Sequence, residues 1–302
     1  MSKCKGCGLT LQNKDKSALG YSPKLTNKLC ERCFKITNYN YHDDGKSIDN
    51  NTICSMINKK KAFNFFLCDI FSLNDSNIQL FTKINNPKAL VITKVDLLPA
   101  NVDYKTFIER VKKAYNIENV LLTSIKNDVG LDDILKYTKV YTRVLFCGPT
   151  SSGKSSIINY LFDFELTTSA FKNTTQEFIN LKWDNCAIID APGFMSDILT
   201  KKAKMISPRT LNIKKDYELV IDNMSFLFKN SCSITLFLPA YIEVKTRKIR
   251  NELSSYIDVP DAYDLTVKNI GFIYFKKGCR VYVNDSEHLS LRSSVVGSYE
   301  QD

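Results

Sequence analysis

The stretch Gly148–Ser155, GPTSSGKS, fits the pattern G-x-x-x-x-G-K-[ST] at every position. Such a loop can turn successive backbone N–H groups inward onto phosphate oxygens, and the helix that follows adds a positive partial charge. Lys154 would reach the β- and γ-phosphates, and the Ser155 hydroxyl would hold Mg²⁺. The loop's candidate phosphate-binding residues are Gly148, Ser151, Ser152, Gly153, Lys154, Ser155 and Ser156. Downstream, CAIIDAPG (Cys186–Gly193) ends in D-x-x-G. There Asp190 can meet Mg²⁺ through water, and the Gly193 N–H can bond a γ-phosphate. Between the two lies TTSAFKNTTQEF, where a switch loop belongs. A threonine there can ligate Mg²⁺ only while a γ-phosphate holds the loop closed. Thr175 is the first choice and Thr174 the alternative.

A base-reading motif, T-K-V-D, spans Thr93–Asp96 at the end of the apolar run KALVITK. Asp96 would accept hydrogen bonds from guanine N1–H and N2–H2, donors that adenine lacks. The Lys94 stem would pack over the ring. A further run, NVLLTS, ends at Ser124-Ile125-Lys126, in the position of a loop that offers a backbone N–H to guanine O6. The order is inverted: base-reading segments come first, then the phosphate loop, then the switches. A parallel sheet tolerates such a permutation if its original ends can be joined near the surface.

Four of the ten cysteines form two C-x2-C pairs, Cys4/Cys7 and Cys30/Cys33. Four thiolates suit a closed tetrahedral zinc site, and the segment between is too polar and short to bury a core without metal. A redox pair is the competing reading. Cys68, Cys147 and Cys186 sit in apolar runs and read as core residues, whereas Cys54, Cys232 and Cys279 stand without a partner at a useful spacing. A chain without a secretory leader keeps its thiols reduced, so no disulfide framework is expected.

These groups need elements to position them. TRVLFC before the phosphate loop reads as a strand, and SSIINYLF after it starts a helix. Residues 200–302 carry strand-like runs such as CSITLFLPAYIEV and KNIGFIYFKKGCRVYVN. With 302 residues, 44% hydrophobic and 25% charged, the composition is that of a globular chain of two or three domains. No apolar stretch approaches a membrane span, so a cytoplasmic protein with no membrane partner is expected. The net charge of +10 is uneven: residues 1–40 hold eight basic and two acidic side chains, whereas residues 41–199 are neutral. Basic ends around a neutral middle point to a polyanionic partner.

With these motifs, C-x2-C-G, LGY at Leu19–Tyr21, L-C-E-R-C-F, D-I-F at Asp69–Phe71, K-V-D-L-L-P at Lys94–Pro99 and I-S-P at Ile206–Pro208, the chain resembles the YqeH-type circularly permuted GTPases, bacterial ribosome-assembly factors. The resemblance implies an α/β fold in three parts: a treble-clef-like zinc domain (1–45), a circularly permuted P-loop GTPase domain (46–205), and a β-rich C-terminal domain (206–302) that contacts RNA or a regulator. It implies GTP binding and slow hydrolysis, with GTP/GDP, Mg²⁺ and Zn²⁺ as cofactors. The partner it implies is the small (30S) ribosomal subunit or its precursor, rRNA and proteins included. Lys154, Thr175 and Gly193 would be the catalytic set; Ser155, Thr175 and Asp190 the magnesium ligands; Cys4, Cys7, Cys30 and Cys33 the zinc ligands. Thr93, Lys94, Asp96, Ser124 and Ile125 would read the base.

The sequence departs from the family pattern at several points. Thr93 replaces the usual Asn, removing one amide that ties the base to the phosphate loop, while guanine preference should survive through Asp96. Ser151 stands where potassium-dependent relatives carry Asn, which sets K⁺ apart from the other expected ions. Phe194 stands where Ras-like enzymes place the Gln that orients water, so turnover should wait on a docked partner. The competing reading is a non-enzymatic zinc- and RNA-binding assembly factor with a vestigial nucleotide site.

Overall fold

The computed structural model describes residues 2, 4–5, 10–16, 18, 20–39, 48–164, 166, 178–195, 208–249, 252–268 and 270–297. The chain divides into two compact units. Met1–Asp69, Gln79–Lys94 and Leu121–Thr200 form the first; Ile70–Ile78, Val95–Val120 and Lys201–Asp302 form the second.

The N-terminal segment ends in helix α1 (Glu31–Tyr39), and α2 (Asn50–Asn58) follows. The Asp49 carboxylate caps α2 by accepting the N–H groups of Asn51 and Thr52, two of the donors a helix start leaves without partners. Then come β1 (Phe63–Asp69), α3 (Asp75–Thr82), β2 (Lys88–Thr93), α4 (Tyr104–Tyr115), β3 (Val120–Thr123), α5 (Leu131–Val140), β4 (Arg143–Cys147), α6 (Lys154–Phe162), β5 (Ile179–Trp183) and β6 (Cys186–Asp190). The six strands make one sheet in the order β3-β2-β1-β4-β6-β5. β1 is parallel to β2 and β4, β4 is parallel to β6, and β5 runs antiparallel to its neighbour β6. Strands covered on both faces should read as continuous apolar runs. Every residue of FNFFLCD in β1 is accordingly buried.

The strand order carries the permutation. From β1 the chain adds β2 and β3 on one side; from β4 it adds β6 and β5 on the other. The strand order therefore reverses between β1 and β4, and in open α/β sheets the crevice beyond the carboxyl ends at such a reversal is the ligand site. The phosphate loop leaves β4 at that end.

In the second unit, ten strands follow: β7 (Arg209–Ile213), β8 (Tyr217–Ile221), β9 (Met224–Phe228), β10 (Cys232–Phe237), β11 (Val244–Lys248), β12 (Tyr256–Val259), β13 (Tyr263–Val267), β14 (Gly271–Phe275), β15 (Cys279–Val283) and β16 (Leu289–Ser293). They form two antiparallel sheets, β16-β13-β14-β10-β7 and β11-β8-β9-β15-β12. Exchanging β7–β11 with β12–β16 turns one order into the other. The strands are thus two copies of one five-strand unit, each sheet taking three strands from one copy and two from the other. Equivalent positions keep equivalent residues: Tyr217/Tyr263, Leu219/Leu265, Phe228/Phe275, Lys229/Lys276, Cys232/Cys279 and Arg247/Arg292.

The copies share an ion pair and use it differently. Arg247 Nε donates to Glu218 at 2.8 Å from a half-exposed position. Its counterpart Arg292 donates to Asp264 at 3.1 Å with both side chains buried. Arg292 also donates to the Leu73 carbonyl and to the Tyr115 hydroxyl on α4. One copy's surface pair has become the bond that seats β16 on α4 and the Ile70–Ile78 segment.

Candidate functional site

The phosphate loop is held from behind by the strand beside it. Gly148 has φ +141°, and a Cβ there would lie 2.1 Å from the Leu67 carbonyl oxygen of β1, so glycine alone fits. Gly153, at φ +95°, turns the loop into α6. Ser151 also takes a positive φ, +63°. Ser152 is buried, and Ser155 and Ser156 are half-buried in the first turn of α6.

Lys154 is 7% exposed, and its Nζ donates to the carbonyls of Gly148 (3.2 Å) and Pro149 (3.0 Å) of its own loop. Burial pushes its ammonium below the ordinary lysine range, against the opposing pull of Asp190. It is a desolvated cation bonded to two backbone carbonyls, with the Asp190 charge nearby, and an incoming anion can replace the carbonyls. Ser155 Oγ donates to the Asp190 carboxylate at 3.1 Å, so the hydroxyl and carboxylate expected at Mg²⁺ already face each other. Neither charge nor donor set conflicts with a hard divalent cation there.

Gly193 lies against the loop. A Cβ at Gly193 would meet Thr150 Cγ2 at 2.7 Å. The next residue, Phe194, pairs with the loop through backbone bonds: Thr150 N–H to the Phe194 carbonyl and Phe194 N–H to the Gly148 carbonyl, both 3.0 Å. Its ring is fully buried and stacks on Phe66 at 5.7 Å between centroids. Phe194 is therefore a core residue that pins the D-x-x-G turn to the phosphate loop.

The T-K-V-D segment meets the same loop. The buried Thr93 Oγ1 donates to the Ser152 carbonyl at 2.7 Å. The Thr93 hydroxyl thus joins the T-K-V-D segment to the phosphate loop. Lys94, at φ +58°, donates from Nζ to the Ser151 carbonyl (2.8 Å) and the Asp69 carboxylate (2.6 Å). Asp69 and Thr150 escape motif reasoning as site residues; the D-I-F triplet was the only trace of the first. Asp96 sits half-buried in a 3-10 turn, Val95–Leu97. After burial, its charge is what holds the Tyr104 hydroxyl above the ordinary phenol range. Ser124 is buried, its Oγ accepting the Asn127 N–H at 3.3 Å, and Ile125 packs against the sheet core. Thr174 and Thr175 lie outside the described residues.

The N-terminal cysteines form a second site. The sulfurs of Cys4, Cys30 and Cys33 are buried and lie within 4.8 Å of one another. The Cys30 N–H donates to Cys4 Sγ (3.2 Å) and the Cys33 N–H to Cys30 Sγ (3.5 Å), contacts that favour thiolates. Three converging thiols fit a zinc ion; Cys7 lies outside the described residues. Cys68, Cys147 and Cys186 are buried, and burial pushes the Cys147 thiol far up, as inert core residues require.

Residues 73–199 match the RsgA GTPase family model, and residues 143–258 match that of a 50S ribosome-binding GTPase. The chain is 29% identical over 235 residues to YqeH of Bacillus subtilis (strain 168), covering 68% of this chain and 64% of that protein. It is 32% identical over 142 residues to the small ribosomal subunit biogenesis GTPase RsgA of Clostridium botulinum (strain Hall), covering 42% of this chain and 47% of that one. It is 28% identical over 195 residues to NO-associated protein 1, chloroplastic/mitochondrial, of Arabidopsis thaliana, covering 53% and 35%. The crystal structure of YjeQ from Thermotoga maritima aligns over 45% of this chain and 51% of that one at 22% identity, with a TM-score of 0.34, too slight an overlap to bear on the argument. The strand order, the loop at its reversal and the matches to GTPase family models support the fold of a circularly permuted GTPase domain. Among these proteins the chain is similar to YqeH over 235 residues. It spans less than two thirds of the length of the curated relatives it matches.

Proposed function

We propose that the protein binds and slowly hydrolyses GTP and acts in biogenesis of the small ribosomal subunit. The observation that carries the nucleotide part is the stitching of T-K-V-D to the phosphate loop, through Thr93 to the Ser152 carbonyl and Lys94 to the Ser151 carbonyl. A vestigial loop has no reason to keep that register. In this reading Lys154 exchanges the Gly148 and Pro149 carbonyls for β- and γ-phosphate oxygens. The backbone N–H groups of Ser151 to Ser156 line the phosphates, and Asp96 reads the guanine edge while Ser124 and Ile125 present backbone to O6. Ser155, Asp190 and Thr175 would hold a magnesium ion, which would supply positive charge at the phosphates. Gly193 senses the γ-phosphate. Because Phe194 is locked in the core, water must be oriented by a group from a bound partner, and hydrolysis alone is slow.

The proposed organisation is a zinc domain at 1–45, the GTPase domain at 46–205 and the β domain at 206–302, with Cys4, Cys7, Cys30 and Cys33 holding one zinc ion. The part RsgA takes in small ribosomal subunit biogenesis and the basic ends of the chain support a ribosomal partner. No helix among the described residues is long and apolar enough to cross a membrane, and the proposed place of work is the cytoplasm. The test is titration with GTP, GDP, ATP and XTP of the wild type and of Asp96→Asn. The wild type should select guanine nucleotides, and the variant should move toward XTP, whose C2 oxygen needs a donor. A variant that still prefers GTP removes Asp96 as the base reader. Co-sedimentation with small subunits in a non-hydrolysable GTP analogue, but not in GDP, tests the partner.

A further inference from the structure

The strand Val244–Lys248, VKTRK, carries no motif, and every residue after Val244 is exposed. It lies at the edge of the sheet β11-β8-β9-β15-β12 and, among the described strands, is bonded to β8 alone. The register settles which backbone groups that bonding uses. At one end the Asp222 N–H donates to the Glu243 carbonyl; at the other the Ile249 N–H donates to the Asp216 carbonyl. Bonded and non-bonded positions alternate along an antiparallel pair. Glu243, Lys245, Arg247 and Ile249 therefore direct their N–H and C=O groups toward β8, and Val244, Thr246 and Lys248 direct theirs out from the edge. Among the described residues no hydrogen bond uses the outward groups. The equivalent edge of the other sheet, β16, is packed against α4.

We propose that the edge of β11 docks an extended acidic segment of a partner protein, which adds a strand to the sheet. An open edge pairs with any strand, and lysines on it are the usual guard. Here the cations also select. β11, β8 and the turn at 214–216 hold five cations, Lys214, Lys215, Lys245, Arg247 and Lys248, and two acids, Asp216 and Glu218. Glu218 is buried and bonded to Arg247. Lys248 has no ion-pair partner among the described residues. Lys245 meets Glu243 at 2.7 Å, but both side chains are exposed, and such a pair yields readily to an incoming carboxylate. A second copy of β11 would set like charges opposite each other. An RNA backbone would bring its phosphates against the outward carbonyls as well as the N–H groups. An extended peptide alone offers a donor and an acceptor at the spacing of the strand.

The test titrates the full chain into a fluorescent peptide alternating glutamate and valine, read by anisotropy, with amide exchange followed by NMR. The peptide should slow exchange at Val244, Thr246 and Lys248 and leave Lys245 and Arg247, already bonded, as they were. Thr246→Pro removes an outward N–H without touching the ladder to β8. It should melt as wild type and bind about tenfold more weakly. Lys248→Glu should weaken binding by a similar factor, and a peptide alternating lysine and valine should not bind. Failure of the acidic peptide to bind would overturn the proposal, as would binding without protection of the three outward amides. A Thr246→Pro variant that does not fold would place that N–H inside the ladder and overturn the geometry. Single-stranded RNA that binds where the acidic peptide does not, with loss in Lys248→Glu, would overturn the proposal in favour of nucleic acid.

Discussion

Gly148 and Gly153 are interchangeable in the motif and not in the structure, so the same substitution at each should fail for different reasons. At Gly148 an added Cβ meets the Leu67 carbonyl at 2.1 Å with the backbone at φ +141°. The oxygen belongs to β1, a central strand, and cannot move aside without shifting the sheet. Backbone strain and forced repacking together cost about 4 kcal/mol. At about 2–4 °C per kcal/mol, Gly148→Ala should melt about 8–16 °C below wild type with no nucleotide present. At Gly153 the nearest foreign atom to a new Cβ is Thr93 Oγ1 at 3.9 Å, and φ is +95°. Only the conformational cost remains, about 1.5 kcal/mol, or about 3–6 °C. Calorimetry of both variants without nucleotide, followed by GTP titration, separates the cases. Gly153→Ala should fold and bind poorly; Gly148→Ala should already be destabilised when empty. Equal melting shifts would refute the argument that β1, rather than the phosphate, dictates glycine at 148.

Thr93→Val should leave the Ser152 carbonyl without its donor and weaken GTP binding by about 5–10-fold, about 1 kcal/mol, whereas Thr93→Ser should bind as wild type; isothermal titration decides. Phe194→Gln should not raise single-turnover hydrolysis, because the side chain would enter the Phe66 stack rather than face a nucleotide, and burying its amide should cost about 1–3 kcal/mol; a faster rate would show that the residue can reach water. Arg292→Met strands the buried Asp264 carboxylate and should cost about 3–5 kcal/mol by chemical denaturation. The equivalent change at the half-exposed Arg247 should cost far less, because water replaces the lost partner.

The chemistry of this protein lies in short local patterns, and those were legible without coordinates. GPTSSGKS, DAPG and TKVD each hold their meaning in contiguous residues, because a loop cradling a phosphate is shaped by its own glycines and the strand and helix beside it. The apolar runs KALVITK and TRVLFC likewise marked β2 and β4, and the motif order announced the permutation. What the sequence could not show is whatever depends on two distant segments meeting. That Thr93 bonds the phosphate loop depends on where the Ser152 carbonyl falls. Asp69 becomes the partner of Lys94 only because β1 and β2 are adjacent and end together. Phe194 resembled a missing catalytic group until its ring was seen stacked on Phe66. The burial of Arg292 where Arg247 stays near solvent comes from folding the two copies against each other. Few identities survive between those copies, because each sheet position requires only an apolar residue on its inner face. Tertiary structure alone therefore decided that symmetry and the contacts it creates.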